Sequence, residues 1–130
     1  MLFRSCKDLP AGDEPEVSAE WVAEQNPDVI IREASGMGFA AENTDKAKEI
    51  YNDIMTRDGI SGITAIKNKD VHLLSVDIYS RPGYIVGVCQ IAKWLYPDLF
   101  SDLDTDAVLK EYFDIFFPGQ GVRGIWTYDE

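Results

Sequence analysis

The sequence predicts an α/β domain built on a small parallel sheet flanked by helices. Three observations carry this. Val71-His72-Leu73-Leu74-Ser75-Val76 is a short apolar run of strand length, and Asp28-Val29-Ile30-Ile31-Arg32 is a second, rich in β-branched residues. Between them lies an amphipathic helical pattern. A strand–helix–strand order implies a right-handed crossover and a parallel pair.

Taken in order, residues 1–16 read as irregular, with Lys7-Asp8, Pro10 and Gly12-Asp13-Glu14-Pro15 as turn residues. The domain is placed at 14–130, after an N-terminal segment at 1–13. Ser18 is suited to cap a helix that runs to about Gln25, and Asn26-Pro27 stops it, because the residue before proline is pushed out of the helical region. The strand 28–32 follows. Gly36 and Gly38 in the next loop have the wrong spacing for a dinucleotide fingerprint. Asn43 or Thr44 then caps a helix whose apolar positions Ala47, Ile50, Tyr51, Ile54 and Met55 form one stripe. Residues 60–66 make a short connection with room for one helical turn, and Asn68-Lys69-Asp70 turns into the strand at Val71. Residues 77–83 read as a Pro/Gly-broken loop. Tyr84 to Leu95 is apolar on almost every side, which predicts a helix buried all round. Asp104 or Thr105 caps a last helix with the stripe Val108, Leu109, Tyr112, Phe113 and Phe116. The tail Gly124–Tyr128 is extended and packs back on the domain.

Composition narrows the function. Three tryptophans, six tyrosines and six phenylalanines argue against disorder, and no apolar run approaches the ~20 residues of a membrane span. A net charge of −11 disfavours nucleic acid and anionic membrane surfaces. It reads as solubility or as an acidic face for a basic partner. Cys6 and Cys89 suggest neither a disulfide framework nor a metal site. The start Met1–Cys6 lacks the apolar region of a lipoprotein signal.

No catalytic constellation emerges. Asp102-x-Asp104-x-Asp106 imitates a calcium loop, but the required glycine and glutamate positions hold Ala107 and Phe113. Acidic residues at a helix N-terminus explain it. His72 stands alone, and there is neither a Gly-x-Ser-x-Gly elbow nor a phosphate loop. No cofactor and no metal ligand is assigned. In open α/β sheets ligands lie over the C-terminal ends of strands, which singles out Tyr79, Arg81 and Tyr84. Arg32 and Arg81 each follow a predicted strand. Together they could grip a carboxylate, or each could pair with a neighbouring acid such as Glu33 or Asp77.

Several segments then resemble one family. They are Pro15-Glu16-Val17-Ser18-Ala19-Glu20-Trp21, Gln25-Asn26-Pro27-Asp28-Val29-Ile30-Ile31, Arg57-Asp58-Gly59-Ile60 and Ala65–Leu73. Pro82–Gly87 and Ala92–Phe100 match its archaeal-type members. The order is similar to the second lobe of class III periplasmic binding proteins, the substrate-binding components of iron-siderophore and cobalamin ABC importers. The resemblance runs from about Glu14 to Tyr128, with Asp58 where the family often has proline.

The resemblance implies a Rossmann-like lobe that binds an iron-siderophore, haem or cobalamin-type ligand without catalysis, outside the cytoplasm, although no signal peptide is read in this chain. Arg32, Tyr79, Arg81 and Tyr84 would line the ligand wall. Glu20, with Glu16 as second candidate, would dock on the ABC permease. The family's first lobe, its linking helix and the opening strands of the second lobe have no counterpart here, so the expectation is a truncated lobe that binds weakly alone. The 29–31 strand would then have an open edge, implying a homo-oligomer or cover by the tail. The alternative is an interaction domain that binds no ligand and self-associates through that edge.

Overall fold

A computed structural model describes residues 2–3 and 17–130. Glu16 and Cys6 lie outside the described residues. The elements are β1 (Leu2–Phe3), α1 (Ala19–Gln25), β2 (Val29–Ala34), α2 (Asp45–Met55), α3 (Thr64–Asn68), β3 (Val71–Ser75), α4 (Val76–Tyr79), α5 (Tyr84–Leu95), α6 (Thr105–Phe116) and β4 (Thr127–Tyr128).

The expected pair is present: β2 and β3 run parallel, with Ile30 opposite Val71 and Ala34 opposite Ser75. The sheet is larger than expected, in the order β1-β2-β3-β4. β1 pairs antiparallel with the start of β2, Leu2 opposite Ile30 and Phe3 opposite Val29. The edge expected to be open is therefore covered there, and the argument for self-association through it loses its premise. Leu2–Phe3 lies in the segment expected to be irregular but forms a strand. Two residues give too little sequence to show alternation, so only the pairing reveals them as a strand. The tail does pack back, but on the opposite edge, as β4 against Leu73 and Leu74 of β3.

Alternation along β3 divides the core. Val71 and Leu73 join Ile30, Ala34, Tyr51, Ile54, Ile63 and Ile66 on one side. Leu74 faces Ile78, Val86, Leu109, Phe113 and Trp126 on the other. Both faces of the parallel pair are thus covered, which is why its strands read as continuous apolar runs.

The helix signals act where the sequence places them. Ser18 Oγ accepts from Trp21 N–H, and Asp104 Oδ1 accepts from Ala107 N–H. The latter accounts for one of the three aspartates that imitate a calcium loop. Asn26 ends α1 in the left-handed region, and its Oδ1 accepts from Thr64 N–H and Oγ1–H at 2.9 and 3.1 Å. One side chain so ties the end of α1 to the start of α3. Ala47, Tyr51 and Ile54 of α2 are buried as their spacing predicts.

Four expectations are corrected. β2 continues to Ala34 because its ladder with β3 does, which places Arg32 within the strand rather than after it. The loop expected at 77–83 starts as a helical turn, capped by Ser75 Oγ accepting from Asp77 N–H. α5 is not buried all round. Val86 and Gly87 are buried, while Tyr84 (58% exposed), Ile85 (50%) and Val88 (53%) face outward. An unbroken apolar run carries no phase, so it cannot say which face turns inward. In α6, Leu109 and Phe113 are buried as expected, but Phe116 is exposed and Phe117, just past the helix, is half-buried.

Candidate functional site

The C-terminal ends of β2 and β3 open onto a cleft of about 280 Å³ lined by Phe39, Asp77, Arg81, Pro82, Tyr112, Phe117 and Trp126. The loop after β2 supplies Phe39. Gly38 holds that loop close, with φ at +93° and no room for a side chain beside Ser75 Oγ and the Asp77 carboxylate. Its N–H donates to the Ile125 carbonyl, and Ile125 N–H donates back to Gly38 O at 3.2 Å. This bridge brings the tail, and with it Trp126, to the mouth of the cleft.

Asp77 is the hub. Its Oδ2 accepts from Phe39 N–H at 3.2 Å, and its Oδ1 lies 3.3 Å from Arg81 Nε. One carboxylate thereby fixes the backbone behind an aromatic ring and one edge of a guanidinium. The rings form a connected wall. Phe39 stacks on Phe113 (5.7 Å between centroids, 3° between planes) and meets Trp126 edge-on at 6.4 Å. Tyr112 and Phe117 contact at 5.9 Å. The Arg123 guanidinium sits 4.1 Å above the outer face of Phe39, a cation–π contact. Phe39 and Arg123 also line a second, open hollow with Ala40, Ala41, Glu42 and Gly124. Flat apolar surface, a guanidinium and an anchoring carboxylate suit recognition of a planar or bulky group carrying negative charge.

Of the residues singled out in the sequence, Arg81 lines this cleft, paired with Asp77 as one of the two alternatives had it. Arg32 lines a different hollow, of about 240 Å³, with Val22, Ile30, Ile54 and Arg57 among its walls. Strand alternation puts Arg32 on the Ile30 and Ala34 face, so the two arginines do not meet. Tyr79 and Tyr84 are exposed and do not line the cleft. Glu20 is exposed in the first turn of α1. The hydrogen bond from its own backbone N–H, then the one with Ser18, holds its carboxyl below the usual range.

His72 is structural in its surroundings. Its ring stacks on Trp94 at 4.5 Å, and Nδ1 lies 3.3 Å from Asp129 Oδ2, which also accepts from Trp94 Nε1–H at 3.2 Å. The His72 hydrogen bond, opposed by partial burial, holds the Asp129 carboxyl below its ordinary value. Among the described residues no three His, Cys, Asp or Glu side chains group to hold a metal, and no helix is long and apolar enough to cross a membrane.

Sequence reasoning missed Phe39, Tyr112, Phe117, Arg123 and Trp126 as site residues. The close glycines Gly36 and Gly38 marked the first loop as unusual. Nothing local tied it to a tail more than eighty residues away.

Comparison with known proteins bears on this arrangement. Residues 6–77 match the family model for periplasmic binding proteins. The molybdate-binding protein MolA of Haemophilus influenzae is 30% identical over 107 residues, covering 78% of this chain and 27% of MolA. The TroA-like periplasmic binding protein FepB of Veillonella parvula superposes with a TM-score of 0.77 at 30% identity, over 88% of this chain and 35% of FepB. CeuE of Helicobacter pylori, solved in a nickel–histidine complex, gives 0.59 at 26% identity, over 78% of this chain and 30% of CeuE. All three relatives are bacterial, and the chain spans about a third of their length or less. The matched family model and the parallel β2–β3 core together show that this chain belongs to the periplasmic binding protein family.

Proposed function

We propose that this chain is part of the solute-binding component of an ABC importer, holding its ligand outside the cytoplasm and leaving it chemically unchanged. The observation that carries the reading is the cleft at the C-terminal ends of β2 and β3, walled by Phe39, Tyr112, Phe117 and Trp126 with Arg81 at its rim. The ligand class that fits is an iron-siderophore, haem or cobalamin-type molecule. A bare oxyanion such as molybdate, the ligand of MolA, needs several converging N–H or O–H donors. This cleft has one arginine, already facing a carboxylate, and much ring surface. Large chelates gain from stacking and apolar burial as well as charge. Tyr79 and Tyr84, exposed near Arg81, would serve as outer contacts, whereas Arg32 lines the separate hollow and is left out of this ligand's wall. Glu20, exposed and ionised at neutral pH, and Glu16 would meet cationic side chains of a permease.

Equilibrium dialysis against ferric tris-catecholate, haem, cyanocobalamin and molybdate tests the reading. Because the chain spans about a third of its relatives' length or less, saturable but weaker than micromolar binding of one of the first three is expected. Arg81→Ala should weaken it by about tenfold, the loss of one charge-assisted contact, ~1.4 kcal/mol. Preference for molybdate would overturn the ligand class, and no saturable binding of any of the four up to roughly 1 mM would overturn the reading.

A second reading, an interaction domain without a ligand, is favoured by the outward apolar face of α5 at Tyr84, Ile85 and Val88. Light scattering distinguishes it. Mass that rises with concentration, together with no ligand binding, would support it, and a monomer at high concentration would not.

A further inference from the structure

We infer that Arg123 forms a second anion subsite, so that the ligand spans both hollows on either side of Phe39 and carries at least two negatively charged groups. The inference rests on the solute-binding reading above and extends it to a residue that sequence reasoning did not assign.

The chain carries a net −11, so a multiply anionic ligand needs local positive charge to approach at all. Of the two arginines at the site, Arg81 is offset by Asp77. Arg123 has no carboxylate within ion-pairing distance among the described residues. Its guanidinium rests instead on the face of Phe39, 4.1 Å away. A ring face positions a guanidinium and leaves its charge and its in-plane N–H donors available. Glu42 lines the same hollow and makes no ion pair with Arg123.

Phe39 lines both the cleft and the open hollow, and is therefore the partition between them. The Gly38–Ile125 bridge fixes the two backbones on which Phe39 and Arg123 sit. Trp126 Nε1–H donates to the Arg123 carbonyl at 2.8 Å, which holds the backbone beneath the guanidinium. The exposed Arg123 is thus held at its backbone by Trp126 and at its guanidinium by the Phe39 ring. A chelate resting on the Phe39 side of the cleft would meet Arg81 with one charged group and Arg123 with another.

The test uses equilibrium dialysis of the intact chain against ferric tris-catecholate, a trianion, with cyanocobalamin as a probe of no net charge. Arg123→Met keeps the long stem over Phe39 and removes the charge, and Arg123→Lys restores the charge. With ferric tris-catecholate, Arg123→Met should bind about tenfold more weakly than the parent and show a flatter dependence on salt. Arg123→Lys should recover most of that loss. Glu42→Gln should bind more tightly than the parent, because it removes an opposing charge from the same hollow. Cyanocobalamin affinity should be the same in all four proteins or undetectable in all. Equal ferric tris-catecholate affinity and salt dependence in the parent and Arg123→Met would overturn the subsite while leaving the solute-binding reading intact. A parent that binds neither probe would overturn the subsite. If it also binds neither haem nor molybdate, the reading on which the subsite rests falls with it.

Discussion

At the scale of single residues, the site depends on groups with no freedom to vary. Gly38 combines a left-handed backbone with direct apposition to Ser75 Oγ and the Asp77 carboxylate. A side chain there must pay for the strained φ and also displace the carboxylate that holds Phe39. Gly38→Ala should therefore lower unfolding free energy by roughly 2 kcal/mol or more, measured by urea denaturation, and an unchanged midpoint would contradict the packing described. Asp129 gives a pH-dependent counterpart. Its folded-state pKa lies below the ordinary 3.8, so its contribution is present above the unfolded value and fades as pH falls through the folded one. Asp129 is half-exposed, so the contribution is small, about 0.5 kcal/mol. Asp129→Asn should be less stable than the parent at pH 7 by about that amount. The difference should vanish in the acid region below the folded-state pKa. A difference that grew as pH fell below 3.8 would reverse the sign argued here.

The elements show where sequence periodicity is informative and where it is silent. α2 has a single apolar stripe, and its buried residues Ala47, Tyr51 and Ile54 belong to it. α5 offers apolar residues on nearly every side, and the choice of inward face falls to Gly87. A side chain at Gly87 would strike the Ile78 carbonyl of α4, so only the bare backbone allows the two helices to touch. Val86 and Val88 then make a controlled comparison within one helix, the first buried at 3% exposure and the second half-exposed. Val86→Ala should cost about 2 kcal/mol. Val88→Lys should stay within about 0.5 kcal/mol of the parent. Urea unfolding curves of the two variants check both, and equal losses would mean that the helix is turned differently about its axis.

Across the whole molecule, one distant segment closes both the core and the site. Trp126 is buried with Leu74, Ile78, Val86, Leu109 and Phe113, contacts Phe113 at 5.4 Å, and lines the cleft. Its neighbours Thr127 and Tyr128 add the last strand to β3. Trp126→Ala should cost about 3–5 kcal/mol, a large share of a typical domain's stability. It should also abolish binding in the cleft under conditions where the variant remains folded. Thermal unfolding followed by circular dichroism, with dialysis below the transition, measures both effects. A variant with normal stability would mean that the tail is not part of the core.

The sequence by itself determined the parallel pair, the helices α1, α2, α5 and α6, and the caps at Ser18 and Asp104. Each of these is written in neighbouring residues: β-branched runs at 29–31 and 71–74, a stripe through α2, Ser18 and Asp104 at helix starts. It also singled out Arg81 in the segment that follows β3. Tertiary structure alone decided which face of α5 turns inward, which edge of the sheet the tail joins, and that Arg32 and Arg81 lie in different hollows. It also assembled Phe39, Tyr112, Phe117, Arg123 and Trp126 around one cleft. The physical reason is that local structure follows from backbone preferences and periodicity over a few residues. A binding wall instead follows from which distant surfaces can touch, and here that was set by Gly38 and Asp77, whose contacts with Ile125 and Phe39 lie far away along the chain.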